Sequence, residues 1–127
     1  MVERINYKNL PTIVGPYVHA TKHANTLYVS GLTAMGSDAQ KEGVCLQTEE
    51  ILSQIDRILI AEGLTKNNII KLTIYLADIN SLSKIREALF AFYEGALPAC
   101  SLVEVSALIS KELHVEIEAI IALNSNE

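Results

Sequence analysis

The sequence predicts an α+β domain: a single β-sheet with two helices packed on one of its faces. Short runs rich in β-branched and aromatic residues, bounded by turn residues, mark the strands. Two segments carry apolar residues at alternating three- and four-residue spacing, which marks amphipathic helices. Their order along the chain is strand, strand, helix, strand, helix, strand, strand. At 127 residues the chain has the length of one domain, spanning 1–127. Folding at that size buries about two-thirds of the unfolded surface, so no metal or disulfide staple is needed.

The first strand pair is "YVHAT" followed by "TLYVSGL" (residues 26–32), joined through the polar turn residues of "KHAN". "TAMGSDAQKEGV" has the glycines and polar residues of an exposed loop. The first helix is predicted over residues 47–62, with Ile51, Ile55, Ile58, Leu59 and Glu62 at helical spacing and Gly63 as its stop. "IIKLTIYLA" (69–77) reads as a strand with Ile70, Leu72, Ile74 and Leu76 on one face and Lys71, Thr73 and Tyr75 on the other. The second helix is expected over 81–93, capped by Asn80 or Ser81 and burying Leu82, Ile85, Leu89 and Phe92. "ACSLVEV" and "HVEIEAIIAL" close the chain as two strands around the loop "SALISKEL". With both helices on one face, Tyr28, Leu102 and Ile120 are expected on the other, which points to an oligomer.

Half of the residues are hydrophobic, 20% are charged, and the net charge is −5. No run of Lys or Arg exceeds one residue, so the basic stripe of a nucleic-acid binder is missing. No apolar stretch approaches the roughly 18 residues that a membrane-spanning helix needs, and the charged N-terminus is unlike a signal peptide. The expectation is a cytoplasmic protein with reduced thiols. Cys45 and Cys100 stand alone, without the spacing of a zinc site or redox pair.

No nucleotide loop, zinc signature or nucleophile elbow is present. His19, His23 and His114 read as surface or strand-edge residues. Two features carry chemistry. Glu116 and Glu118 alternate in "VEIEAII" and share a face, which together with Glu104 suggests a polar cavity or interface. A carboxylate there is desolvated and its pKa raised, as general acid–base work near neutral pH requires. Ser30-Gly31 lies in mid-strand, where glycine signals a bulge or a close approach to the backbone.

"GPYVHA", "LYVSGL", "SQIDRILIAEGL", "IIKLTIYLADINSL", "PACSLVEV" and "VEIEAIIA" resemble, in order, the blocks of the reactive-intermediate deaminase (Rid or YjgF-like) family. The resemblance covers residues 9–123. It implies a chorismate-mutase-like fold with a mixed sheet, in a homotrimer whose sheets line a central barrel, with small-molecule clefts between subunits. It also implies hydrolysis of 2-imino acids or enamines to 2-oxo acids and ammonia, without a cofactor. By position, Glu116 matches the acid that places the attacking water, Tyr17 a cleft tyrosine, and Ser30 and Gly31 the residues near the substrate carboxylate. Cys100 departs from the pattern, standing where family deaminases carry an arginine that grips that carboxylate in a bidentate pair. Arg86, on the border of the second helix's buried stripe, is the cation expected to reach into the cleft in its place. Two other readings stay open: a non-catalytic binder of small 2-oxo-acid-like metabolites, and the endoribonuclease of the family's older label.

Overall fold

A computed structural model describes residues 1–124; the last three residues of the expected 1–127 domain lie outside the described residues. Six strands form one mixed sheet in the order β1-β2-β3-β6-β4-β5. They are β1 (Glu3–Ile5), β2 (Ala20–His23), β3 (Thr26–Leu32), β4 (Ile69–Leu76), β5 (Ala99–Glu104) and β6 (Val115–Ala122). Helices α1 (Val44–Ala61) and α2 (Leu82–Tyr93) contribute to one hydrophobic core with the inner face of the sheet. All pairings are antiparallel except β4 with β5, whose parallel run is made possible by the α2 crossover.

The first strand, β1, is absent from the sequence-based order. Three residues with mixed charge carry no alternation, and only pairing with β2 makes them a strand. The partner strand read as "YVHAT" begins three residues later, because Tyr17 and His19 lie in bends and Val18 between them is irregular. The hairpin turn is Ala24-Asn25, with Lys22 and His23 still in β2. Ala24 takes the left-handed region, φ 54°.

Helix α1 starts at Val44, three residues before the apolar periodicity suggests, and ends before Gly63, whose φ of 71° suits glycine. Its inner stripe of Ile51, Ile55 and Ile58 is fully buried. The loop before it is not wholly exposed, since Ala34 is buried. Gln47, also buried, binds that loop to the chain's last crossing. Its amide donates to the Gln40 and Glu112 carbonyls, and its oxygen accepts from the His114 amide.

The cap expected at Asn80 or Ser81 lies earlier. Asp78 accepts from the Asn80 amide at 3.0 Å and starts a 3-10 turn that runs into α2, and Ser81 makes no side-chain cap. Ile85, Leu89 and Tyr93 are the buried positions of α2.

Three residues, Ile70, Leu102 and Glu104, face the opposite way from expectation. A register shift between Ile69 and Lys71 buries Ile69 and leaves Ile70 47% exposed, while Leu72, Ile74 and Leu76 stay inward. Residues directly opposite each other on neighbouring strands share a face. Leu102 pairs with Ile74 and packs against the core, so it does not join Tyr28 and Ile120 on the bare face. Glu104 likewise pairs with inward Leu76 and accepts from the Ile79 amide, remote from Glu116 and Glu118.

Candidate active-site cleft

Among the described residues nothing forms a covering layer on the outer face of the sheet. β6 alternates Val115, Ile117, Ala119 and Ile121 inward with Glu116, Glu118 and Ile120 outward. Glu118 accepts from the Tyr75 hydroxyl at 2.9 Å, and that hydrogen bond is the main cause of the raised Tyr75 pKa. Glu116 lies one position further toward the start of the strand's outward row, opposite Tyr75 on β4.

Ser30-Gly31 is a bulge: the β3–β6 register shifts between Val29 and Leu32. Two β3 residues then face one position of β6, which turns the backbone toward Glu116. A Cβ at Gly31 would overlap the Glu116 carboxylate, so the glycine is what lets this carboxylate sit against β3. Bulge and close approach, both signalled by glycine in mid-strand, occur together here.

Above this floor opens a cleft of about 600 Å³. One wall is the loop of residues 11–15 with Tyr17, and the other runs through residues 30–33 to Met35, Gln54 and Ile109. Val14, Tyr17 and Ile109, at its rim, are strongly exposed. The loop is anchored from below by His19, which is buried and not a surface residue as the sequence suggests. Its Nδ1 accepts from the Tyr7 amide at 2.8 Å, its Nε2 lies 2.8 Å from the Pro11 carbonyl, and its ring stacks on Tyr7. The sequence signal for this role was weak, because a buried anchoring histidine and a surface one look alike in a row of letters.

Glu116 is half-buried. Burial raises its pKa above the ordinary carboxylate range, and the neighbouring Glu118 charge adds to the rise. Burial costs the charged form its hydration, and a second negative charge makes ionisation costlier still. Such a group exchanges protons closer to neutrality than a solvated glutamate. Ser30 holds its hydroxyl in place by donating to the Val18 carbonyl at 2.7 Å. Gln54, missed at the sequence level because it lies on the helix's apolar stripe, lines the cleft with its amide nitrogen bound to the Thr33 carbonyl and to Glu50.

Four of the expected site residues therefore meet: Tyr17, Ser30, Gly31 and Glu116 all line one cleft. The other two do not reach it within one chain. Cys100 pairs with Leu72 and so faces the helix side, across the sheet from Glu116. Its thiol makes a weak contact to the Ser101 carbonyl, and burial pushes its pKa up while Lys71 pulls it down. Nearby Tyr93, on α2, is buried with no hydrogen-bond partner for its hydroxyl among the described residues; burial pushes its pKa up to about 12, and the Cys100 charge adds to the rise. Arg86 is exposed on α2, in the helix layer, so within one chain it does not enter this cleft. Among the described residues no cluster of His, Cys, Asp or Glu is arranged to hold a metal ion, and no helix is long and apolar enough to cross a membrane.

Comparison with known proteins places these features in a family. The family model described as Endoribonuclease L-PSP matches residues 7–123. A RutC family protein of Pyrococcus horikoshii is 37% identical over 94% of this chain and 97% of its own length. The 2-iminobutanoate/2-iminopropanoate deaminase of Salmonella typhimurium is 32% identical, covering 94% of this chain and 97% of the relative. Among solved structures, a conserved Rid family protein of Yersinia pestis superimposes with a TM-score of 0.87 at 36% identity, over 96% of this chain and 99% of that one. Sequence and architecture agree over nearly the whole length, and the chain belongs to the endoribonuclease L-PSP family, with Rid and RutC proteins as its relatives.

Proposed function

We propose that this protein is a cofactor-independent imine or enamine hydrolase in which Glu116 is the catalytic acid–base. The observation that carries the reading is the Glu116 carboxylate, desolvated and seated against Gly31 on the floor of a cleft that also holds Tyr17 and Ser30. The deaminases among its relatives support the reaction class.

The chemistry asks for little beyond placement. An imine carbon is already electrophilic, so orienting it beside one water supplies much of the acceleration. Glu116 takes a proton from that water as its oxygen bonds to the imine carbon, and delivers the proton to nitrogen. The resulting carbinolamine passes its remaining hydroxyl proton to nitrogen through the same carboxylate. The C–N bond then breaks with its electron pair leaving on nitrogen, so ammonia departs and a carbonyl forms.

Cys100 faces away from Glu116 within a chain, so both can serve one ligand only if they come from different subunits. A homotrimer that sets the β5 edge of one subunit against the outer face of the next would do this and would cover Tyr28 and Val103, both over 40% exposed. Light scattering is expected to give about three times 13.9 kDa. The function is tested by ammonia release from imines generated in situ. Glu116→Gln should remove the enzyme-dependent rate, with loss on the scale of about 10²–10⁴ for a general acid–base. An unchanged rate in that variant would remove Glu116 from the mechanism. No turnover by the wild type would favour the metabolite-binder reading.

A further inference from the structure

The two walls of the cleft are tied together through α1, a helix to which neither wall belongs. Gln54, on α1, is 2% exposed and donates both hydrogens of its side-chain amide, to the Thr33 carbonyl at 3.1 Å and to the Glu50 carboxylate at 2.8 Å. Both partners are acceptors, so the amide has only one way round. The same Glu50 oxygen accepts from Arg57 at 3.0 Å, and a second nitrogen of that guanidinium donates to the Asn9 carbonyl at 2.7 Å.

These contacts run unbroken from one wall to the other. Asn9 lies just before Pro11, where the wall of residues 11–15 begins and where His19 holds it from below. At the opposite wall, Leu32 pairs with Ile117 in the antiparallel β3–β6 ladder, so the next residue, Thr33, comes level with Glu116. Gly31, on which the Glu116 carboxylate is seated, is two residues back. The carbonyl that Gln54 fastens is therefore at the register position of that carboxylate.

Neither Glu50 nor Arg57 lines the cleft. An ion pair near the surface contributes little by itself. This one differs because each member has a second hold, Glu50 on Gln54 and Arg57 on the backbone at Asn9. A planar guanidinium can serve two acceptors in fixed directions at once.

We infer that Glu50 and Arg57 are positioning residues, a brace on α1 that fixes both cleft walls and, through Gln54 and Thr33, the seat of Glu116. The brace lies within one chain and does not depend on what a neighbouring subunit adds to the cleft. Its consequence for turnover rests on the hydrolase reading above. Its hold on Glu116 does not, and is measured without substrate.

The experiment follows the Glu116 carboxyl by carbon-13 NMR through a pH titration of the intact protein, in the wild type, Arg57→Ala, Arg57→Met, Glu50→Ala and Glu50→Gln. Removing the Arg57 cation acts in opposite directions under the two accounts. By charge alone the Glu116 midpoint rises; with the brace gone, β3 relaxes, water reaches the carboxylate and the midpoint falls. A fall of about half a pH unit or more is expected in both Arg57 variants. Glu50→Ala and Glu50→Gln remove the same charge, but only Glu50→Gln keeps an oxygen for Gln54 and Arg57. The midpoint of Glu50→Ala is therefore expected to lie about half a pH unit or more below that of Glu50→Gln. An unchanged or higher midpoint in the Arg57 variants, or equal midpoints in the two Glu50 variants, would overturn the inference.

A second arm measures ammonia release from imines made in situ. In Arg57→Ala kcat should fall at least about tenfold with KM within about threefold, as misplacement of a reacting group predicts. Glu50→Gln should recover most of the rate that Glu50→Ala loses. A lowered midpoint with unchanged kcat leaves the brace standing and removes Glu116 from the mechanism. If the wild type releases no ammonia, the hydrolase reading falls and the titration alone decides the brace.

Discussion

The two faces of this sheet are built by the same strands and follow opposite rules. On the inner face Leu72, Ile74, Leu76, Ile117 and Ile121 are fully buried under α1 and α2. One residue away on each strand, the outer face carries Lys71, Thr73, Tyr75, Glu116 and Glu118, all half-buried and polar. Ile117 and Glu116 are neighbours in sequence, yet one contributes packing and the other chemistry. The difference teaches that stability and function are separated here by the two-residue period of a strand, not by domain or by loop.

Substitutions on either face test that separation. The largest expected effect is on the inner one. Ile117→Ala should cost about 2–5 kcal/mol of stability, the range for emptying a buried aliphatic site, read as a shift in urea midpoint. A cost below about 1 kcal/mol would mean that the core can collapse around the gap and that the inner face is looser than its burial indicates.

Gly31→Ala comes next, because it touches the boundary between the two rules. The added methyl must push the Glu116 carboxylate off β3, for about 1–3 kcal/mol of overpacking. Displacing that carboxylate should also lower imine turnover by at least about tenfold, since small misplacements at a reacting centre are costly. A variant with full activity would show that the contact between Gly31 and Glu116 is incidental.

The smallest expected effect is a pH dependence belonging to the outer face alone. The Glu116 pKa is raised in the folded protein above its ordinary 4.5. The native state therefore holds this proton more tightly than the unfolded chain does. Stability from this group is full below the ordinary value and falls as pH rises through the window up to the folded pKa. Glu116→Gln should flatten that fall and leave the mutant the more stable protein above the window. The check is the melting temperature of both proteins between acid and neutral pH, together with Tyr75→Phe, which frees Glu118 from its hydrogen bond. A wild type and Glu116→Gln with parallel profiles would contradict the desolvation of Glu116.

Most of the fold could be read from periodicity. The two helices, the strands holding Leu27, Ile74 and Ile117, and the inward and outward alternation around Glu116 follow from spacings of about 3.6 and 2 residues. The site was legible in part for the same reason: alternation put Glu116 outward, and glycine in mid-strand marked the bulge. Failures came where local pattern carries no information. Ile69 and Ile70 are interchangeable letters until a register shift decides which is buried. Glu3–Ile5 becomes a strand only through β2.

By itself, then, the sequence determined which residues repeat with helix or strand period, and hence the two helices, the main strands and the outward carboxylates. Periodicity is a property of neighbours along the chain. Only the tertiary structure decided that β5 runs parallel at the sheet's edge, that Cys100 faces the helices while Glu116 faces the cleft, and that His19 is a buried anchor with no proton to spare. Those facts depend on pairing partners far apart in sequence: Leu72 with Cys100, Tyr7 and Pro11 with His19, Gly31 with Glu116. A long-range pairing sets which side of a sheet a residue occupies and which of its polar atoms are already spent, and no local spacing encodes either.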